Sequence, residues 1–255
     1  MSTLVITTFS EDGYHLYGKR MIDTWCRYWP ADYTLRLYVE HNLVVDDPRV
    51  EIVNLHDASK ALVDFKTRYY EQAKNTKDKK KRNKILKTIK WCHKVYAIEH
   101  ALNSDHDHLI FLDADTYTRT KVPSGQLETL VGPNLFAVHF EHLQGMPHYE
   151  TGLIIFNKKH NQIQDLKENL TSAYNTGEIF QLPKSWDGFW FAELHARRKY
   201  SVLDLAGGRR TGVFTNPKVR DILVHEAGKR KYQGTNYNKY TGKAKQKELY
   251  GISST

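Results

Sequence analysis

The folds open to this sequence are limited by two short runs of apolar and β-branched residues, TLVITTF (3–9) and HLIFL (108–112). Runs of this kind are typical of strands that are buried on both faces. They alternate with stretches of helical periodicity, which predicts an α/β fold with a mostly parallel central sheet flanked by helices. We predict further strands at 33–40, 50–55, 135–141, 151–157 and 201–206, the last being the final strand. We predict helices over 14–29, 84–102 and 160–174, and one from residue 187.

The chain has 255 residues, enough for a substantial core, and we expect one domain over 1–255. Cys26 and Cys92 lie far apart without C-x-x-C spacing, which argues against a disulfide framework or a structural zinc site. The first residues lack the pattern of a signal peptide, and no apolar stretch approaches the roughly 18 residues of a membrane span. We therefore expect a cytoplasmic protein, or one of the host cytoplasm if the chain is viral. The sequence does not indicate an oligomeric state.

Positive charge is concentrated in two segments. Residues 66–94 contain twelve Lys or Arg and two acidic residues. Residues 207–247 contain eleven Lys or Arg and two acidic residues. The whole chain carries a net charge of +9, so its remainder is acidic. This distribution suits a partner that bears phosphates. The stretch KNTKDKKKRNK within 66–94 is equally typical of a solvated helix face or a mobile loop.

Two aspartates directly follow the apolar run at 108–112. Asp113 and Asp115 form a D-x-D pair, whose charges repel and are costly to bury unless a cation compensates them. Ligands collect outside the carboxyl ends of strands in open α/β sheets, so the pair is interpreted as a metal site. The alternative is that both carboxylates only cap a turn. A second D-x-D pair, Asp105 and Asp107, lies among residues typical of a solvated loop and is interpreted as a chance match.

Four motifs follow one another in the order LIFLDAD, YETGLIIFN, WDGFWFAEL and VHEAGKRK. In this order they resemble the glycosyltransferases of the GT-A fold. The last resembles the H-x-x-G-x-x-K signature of the glycogenin-like group, with His225, Gly228 and Lys231 at its three places. The resemblance extends from the first predicted strand to about residue 232. It implies a Rossmann-like GT-A domain that transfers a hexosyl or pentosyl group from a nucleotide-diphosphate sugar, with a UDP-sugar as the first donor to consider.

On this resemblance the chain divides by role into three parts. Residues 1–120 would form the half that binds the nucleotide sugar. Residues 121–206 would form the acceptor and catalytic half. Residues 207–255 would be a basic tail that closes the donor site.

The resemblance also implies that Asp113, Asp115 and His225 bind one divalent cation that bridges the donor diphosphate. Oxygen ligands suit Mg²⁺ or Mn²⁺, and an imidazole shifts the preference toward Mn²⁺. Lys231 would add charge to the same phosphates, and Gly228 would let the backbone approach closely. Considered singly, His225 could be structural and Lys231 ordinary surface charge. Further donor contacts are expected from Thr7, Thr8, Phe9, Tyr14, Lys94 and Ala114.

Two carboxylates are candidates for the catalytic group. Asp187 matches a family position near the reacting sugar, where it could orient hydroxyls or accept a proton. The alternative is helix capping by Ser185 or Asp187. Glu150 departs from the Asn or Ser that is commoner at its place and is a second candidate base. Neither residue indicates whether the anomeric configuration is retained or inverted.

The basic segments 66–94 and 207–247 favour a polyanionic acceptor. The first candidate is a hydroxymethylated pyrimidine in DNA of the phage type, bound through backbone phosphates and flipped into the pocket. The alternative acceptor is a glycan, such as a lipopolysaccharide, capsule or teichoic precursor, near anionic headgroups. Two other classes remain open, a nucleotidyltransferase and a non-catalytic nucleic-acid-binding module. The sequence lacks a G-x-x-x-x-G-K-[ST] loop, which argues against the first of these.

Overall fold

The structure is a computed structural model that describes residues 2–143, 145–206 and 213–226. The strands are β1 Thr3–Thr8, β2 Tyr33–Val39, β3 Val50–Asn54, β4 His108–Leu112, β5 Thr116–Thr118, β6 Phe136–Leu143, β7 Met146–Asn157, β8 Val202–Asp204 and β9 Leu223–His225. The helices are α1 Glu11–Gly13, α2 Lys19–Tyr28, α3 Leu55–Ala58, α4 Lys60–Asn75, α5 Lys79–Ala101, α6 Ile163–Asn169, α7 Ser172–Thr176, α8 Asp187–Arg198 and α9 Pro217–Arg220. A π-helical turn at Tyr14–Gly18 leads into α2.

Seven strands of the described residues form one sheet in the order β3-β2-β1-β4-β7-β6-β8. The pairs from β3 to β4 are parallel, β7 is antiparallel to both of its neighbours, and β8 is parallel to β6. The predicted mostly parallel sheet flanked by helices is therefore confirmed. The carboxyl ends of β2, β1 and β4 lie along one edge, and the chain leaves that edge at Asp113.

The middle of the sheet is buried on both faces, whereas the edge strands β3 and β8 are partly exposed. Alternate residues of β4 belong to different clusters, with Phe111 on the side of α4, α5 and α8 and Ile110 on the side of α2. All five residues of β4 are buried, as the apolar run predicts. Trp25 of α2 and Trp190 of α8 are among the largest buried side chains, one in each cluster.

Several predicted boundaries differ from the structure. The lysine-rich stretch is helical from Lys79, because Asp78 caps α5 by accepting from the backbone N–H groups of Lys80 and Lys81. Helix α4 was not predicted, although its apolar stripe has helical spacing. The predicted helix over 160–174 is divided into α6 and α7.

The strand predicted as the last is followed by β9, so that prediction is wrong. β9 pairs with the short strand β5 in a separate two-stranded sheet, which only the folded chain reveals. In the described part of the chain, no helix combines the length and the apolar character that crossing a membrane requires.

Candidate functional site

A cleft with a volume of about 600 Å³ lies where β1, β4 and β7 meet the first turn of α8. Its lining combines carboxylates and a lysine with aromatic side chains. The lining includes Asp113, Asp115, Glu150, Asp187, Lys94 and Trp186.

The two aspartates after β4 are placed by a tight turn. The backbone N–H of Asp113 donates to the carbonyl of Gly152 at 2.9 Å, and the N–H of Thr116 donates to the carbonyl of Asp113 at 2.9 Å. Thr116 then pairs with His225 across the β5–β9 ladder. The backbone N–H of Glu226 donates to the carbonyl of Asp115 at 3.0 Å. Backbone pairing thus brings two segments far apart in sequence to one place.

The side chains of Asp113, Asp115 and His225 converge. His225 Nε2 lies 3.1 Å from an oxygen of Asp115 and 3.9 Å from an oxygen of Asp113, and one ligand atom from each residue lies within 4.8 Å of the others. Burial raises the pKa of Asp113, and the charge of Asp115 adds to this while Lys94 opposes it. The pKa of His225 is also raised, because Asp115 and Asp113 outweigh its burial. Two carboxylates and an imidazole that already attract positive charge fit a divalent cation such as Mn²⁺ or Mg²⁺.

Lys94 projects from α5 between two carboxylates. Its ammonium group lies 2.8 Å from Asp113 and 3.0 Å from Asp187, and it donates to Thr151 Oγ1 at 3.0 Å. Burial alone would lower the pKa of Lys94, but the charges of Asp113 and Asp187 raise it. The ammonium therefore stays charged and connects the D-x-D turn to α8.

Asp187 is the first residue of α8, and it does not cap the helix. The N-cap is Trp186, which makes no side-chain capping bond, and the hydroxyl of Ser185 is bonded to Thr88 instead. Asp187 Oδ2 accepts from Thr151 Oγ1 at 2.5 Å. Burial would raise the pKa of Asp187, but Lys94 and Thr151 lower it, so the group is held as a carboxylate that faces the cleft. The capping alternative is therefore wrong.

Glu150 lies beside the cluster of Asp113, Asp115 and His225. Its Oε1 accepts from the backbone N–H of Gly152 at 2.9 Å and lies 3.9 Å from His225 Nδ1. Burial raises the pKa of Glu150 to about 7. A Cβ at Gly152 would clash with Glu150 Oε1 and lie 3.3 Å from His225 Cε1, so only glycine allows this approach.

No family model and no curated protein match the chain. Mouse xyloside xylosyltransferase 1 shares 10% identity and superposes over 80% of this chain and 85% of its own, with a TM-score of 0.50. The chain has the GT-A fold.

Two other solved structures superpose with lower scores. The glycosyltransferase GlyE of Streptococcus pneumoniae shares 12% identity over 81% of this chain, with a TM-score of 0.48. The chain spans about half of that protein, 46% of its length. The galactosyltransferase LgtC shares 11% identity over 99% of this chain and 97% of its own, with a TM-score of 0.46.

Within this GT-A fold the other predicted donor residues occupy different places. Thr8, Phe9 and Ala114 line the cleft. Thr7 is fully buried in β1, and Tyr14 stacks on Phe9 with ring centroids 6.1 Å apart. Gly228 and Lys231 lie outside the described residues, so the structure shows the position of His225 alone among the three residues predicted from the signature.

Sequence reasoning missed several residues that line the cleft. Helical spacing places Lys90 and Trp91 one turn before Lys94, which was a usable signal. Glu40 directly follows β2, and the rule that pointed to Asp113 applies equally to that strand end. No sequence pattern indicated that His148 lines the cleft, because its proximity to α8 arises only when the chain folds.

Proposed function

We propose that this chain is a metal-dependent glycosyltransferase that moves a sugar from a nucleotide-diphosphate sugar to an acceptor hydroxyl. The proposal is carried by the convergence of Asp113, Asp115 and His225 at the end of a buried strand, within 4.8 Å of one another. Lys94 and Asp187 face the same cleft. We further propose a cytoplasmic location.

The three converging residues would hold Mn²⁺ or Mg²⁺, and the ion would act as a Lewis acid that neutralises the departing diphosphate. Lys94, next to these metal ligands, has two roles. Its charge offsets Asp113 and Asp187 before the donor binds, and its place between them sets the position of Asp187 relative to the metal ligands.

We assign different roles to the carboxylates of Asp187 and Glu150. Both Thr151 and Lys94 contact the same oxygen of Asp187, so we assign this carboxylate to orienting the sugar. Glu150 lines the cleft beside His225, and we assign it to accepting the proton of the incoming hydroxyl.

The two ends of the cleft suggest where each substrate lies. Thr8 and Phe9 line the end beside β1, where the nucleoside of a UDP-sugar would lie. Trp186 and His148 line the end beside α8, with ring centroids 5.9 Å apart. Trp91 meets Trp186 edge to face at 5.7 Å, which forms an aromatic wall for the acceptor.

A hydroxymethylated pyrimidine in DNA is our first acceptor candidate. The first turn of α5 carries cations and no acidic residue, although the helix dipole disfavours cations there. Residues 79–82 are exposed, and Lys87 and Lys90 continue the basic surface of this helix to the cleft. Such a row suits a backbone of phosphates, and the aromatic wall suits a flipped base. Of the second basic segment, only residues 213–226 are described.

The activity is tested by donor turnover. Purified protein is incubated with UDP-sugars and Mn²⁺, and the released product is identified. We expect nucleoside diphosphate release that is lost in Asp115→Ala and retained in Asp105→Ala, whose carboxylate lies in the exposed loop before β4. Pyrophosphate release would identify a nucleotidyltransferase, and the absence of turnover with every donor would contradict the proposal.

The acceptor is tested separately with labelled donor. Transfer into hydroxymethylated DNA but not into unmodified DNA would support the DNA assignment. Transfer into lipopolysaccharide or capsule precursors, with none into DNA, would replace it with the glycan alternative.

A further inference from the structure

A second group of metal-ligating side chains lies at the rim of the cleft, apart from the D-x-D pair. Glu40 follows β2 directly, His56 belongs to α3 and His93 belongs to α5. Glu40 Oε1 lies 2.7 Å from His93 Nε2 and 3.2 Å from His56 Nε2. One ligand atom from each residue lies within 4.8 Å of the others. Three elements that are separate in sequence therefore bring two imidazoles and a carboxylate to one point.

This group already surrounds a cation. Lys66 of α4 places its Nζ 2.7 Å from Glu40 Oε1 and 2.7 Å from His56 Nε2. An ammonium group can only donate hydrogen bonds, so His56 Nε2 accepts and directs its lone pair at the positive charge. A metal ion would use the same lone pair and the same carboxylate oxygen. The ammonium group of Lys66 thus occupies the place of an ion.

The spacing and chemistry of the ligand atoms fit zinc. Tetrahedral Zn²⁺ with bonds of about 2.0–2.1 Å holds its ligand atoms about 3.3 Å from one another. The two distances from Glu40 Oε1, 2.7 and 3.2 Å, are close to this value. Burial would raise the pKa of Glu40, but His93 and Lys66 lower it to about 2, so the oxygen is charged. Two imidazoles with one carboxylate favour Zn²⁺, whereas the two carboxylates and single imidazole of the D-x-D site suit Mn²⁺ or Mg²⁺.

An ion can reach this site from solvent. The side chains of His56, Glu40 and His93 are 36%, 30% and 22% exposed, and Glu40 and His93 line the cleft. Three protein ligands leave the fourth tetrahedral position for water or for an anionic group in the cleft.

We propose that Glu40, His56 and His93 form a second metal site, which binds Zn²⁺ when the ammonium group of Lys66 moves out. This inference goes beyond the proposed function, because it requires no nucleotide donor. The ion and the ammonium group compete for one place, and the flexible stem of lysine allows the exchange. Removal of the ammonium group should therefore strengthen zinc binding, which a purely structural ion-pair cluster would not show.

The test measures Zn²⁺ affinity by competition with a chromophoric chelator. The background is the double variant Asp115→Ala with His225→Ala, which lacks two of the three ligands of the D-x-D site. We expect it to bind one Zn²⁺ per chain. Adding His93→Ala should weaken binding at least ten-fold, and adding Lys66→Met should strengthen it at least ten-fold. Zn²⁺ should also raise the melting temperature of the background, and this rise should disappear with His93→Ala.

Lys74→Met and His15→Ala in the same background are the matched controls. Both side chains are exposed, and Lys74 lies on the same helix as Lys66. Neither change should alter the affinity for Zn²⁺. Unchanged affinity after His93→Ala would overturn the inference, as would unchanged or weaker binding after Lys66→Met.

The number of ions bound by the wild type separates this inference from the proposed function. We expect two Zn²⁺ per chain, one at each site. A single ion that is lost in His93→Ala would support the second site and would count against the metal site of the proposed function. A single ion that is lost in Asp115→Ala and retained in His93→Ala would overturn the second site alone.

Discussion

The ammonium group of Lys94 lies between the carboxylates of Asp113 and Asp187, at 2.8 and 3.0 Å. Its side chain is only 13% exposed, so water does little to screen these charges. The family resemblance predicts Lys94 as a donor contact, which stays a prediction, and the structure shows its contact with Asp187. Sequence reasoning could not find that contact, because it depends on the approach of α8 to α5.

We expect Lys94→Met to lower both stability and activity. Removing one partner from a buried ion pair leaves the others uncompensated, at a cost of about 3 kcal/mol. Asp187 would also lose its positioning partner, so kcat should fall at least ten-fold. Urea unfolding and donor turnover measure the two effects. Lys60→Met, which removes an exposed lysine paired with Asp64 on α4, is the control, and equal losses in both variants would contradict the role of Lys94.

A local ion pair gives a prediction about pH. Arg49 donates to both oxygens of Asp47, at 2.8 and 3.0 Å, and this lowers the pKa of Asp47 to about 2. A folded pKa below the unfolded value means that the contribution to stability is present above about pH 4 and is lost as the pH falls toward 2. The difference in unfolding free energy between the wild type and Asp47→Asn should therefore be constant from pH 7 to 5 and narrow below that. The exposed neighbour Asp46→Asn is the control, and a wild-type advantage over Asp47→Asn that does not narrow between pH 5 and 2 would contradict the prediction.

At the scale of elements, the first turn of α8 packs directly on β7. A Cβ at Gly188 would clash with the carbonyl oxygen of Tyr149 and lie 2.8 Å from His148 Nε2. This close approach carries Asp187 into the cleft.

Gly188→Ala should displace the first turn of α8 and with it Asp187. We expect turnover to fall at least ten-fold, although alanine in a helix is intrinsically favoured over glycine by about 1 kcal/mol. Steady-state kinetics and thermal unfolding measure the two effects. Gly18→Ala is the matched control, because its added Cβ would meet nothing nearer than 3.4 Å and should leave turnover unchanged. Wild-type turnover in Gly188→Ala would show that this packing does not position Asp187.

The elements differ in how far the sequence predicts them. β1 and β4 consist mainly of apolar and β-branched residues and lie in the middle of the sheet, so their pattern indicates buried strands. β9 has three residues and exists because it pairs with β5, which no local pattern encodes. The sequence therefore predicts Asp113 and Asp115 at a strand end, whereas His225 was placed beside them only through a family spacing.

At the scale of the whole molecule, the prediction concerns the surface charge of α5. Lys80 and Lys87 are exposed on this helix, and replacing each with Gln should weaken duplex binding. Each lost phosphate contact should lower the slope of log affinity against log salt by about 1. Donor hydrolysis without acceptor should not change, because neither lysine lines the cleft.

The control for this prediction is Lys19→Gln with Lys121→Gln, which removes the same charge from exposed positions on α2 and after β5. Fluorescence anisotropy with a DNA duplex between 50 and 200 mM salt measures both pairs. Equal weakening by both pairs would mean that only net charge matters, and it would contradict a specific role for α5.

Calorimetric titration of the protein with Mn²⁺ in the presence of UDP is the most direct test of the central claim. The claim is that one ion is bound by Asp113, Asp115 and His225 together. We expect one ion per chain in the wild type and in Asp105→Ala. Binding should be at least ten-fold weaker in both Asp115→Ala and His225→Ala. Wild-type affinity in either of these last two variants would contradict the claim.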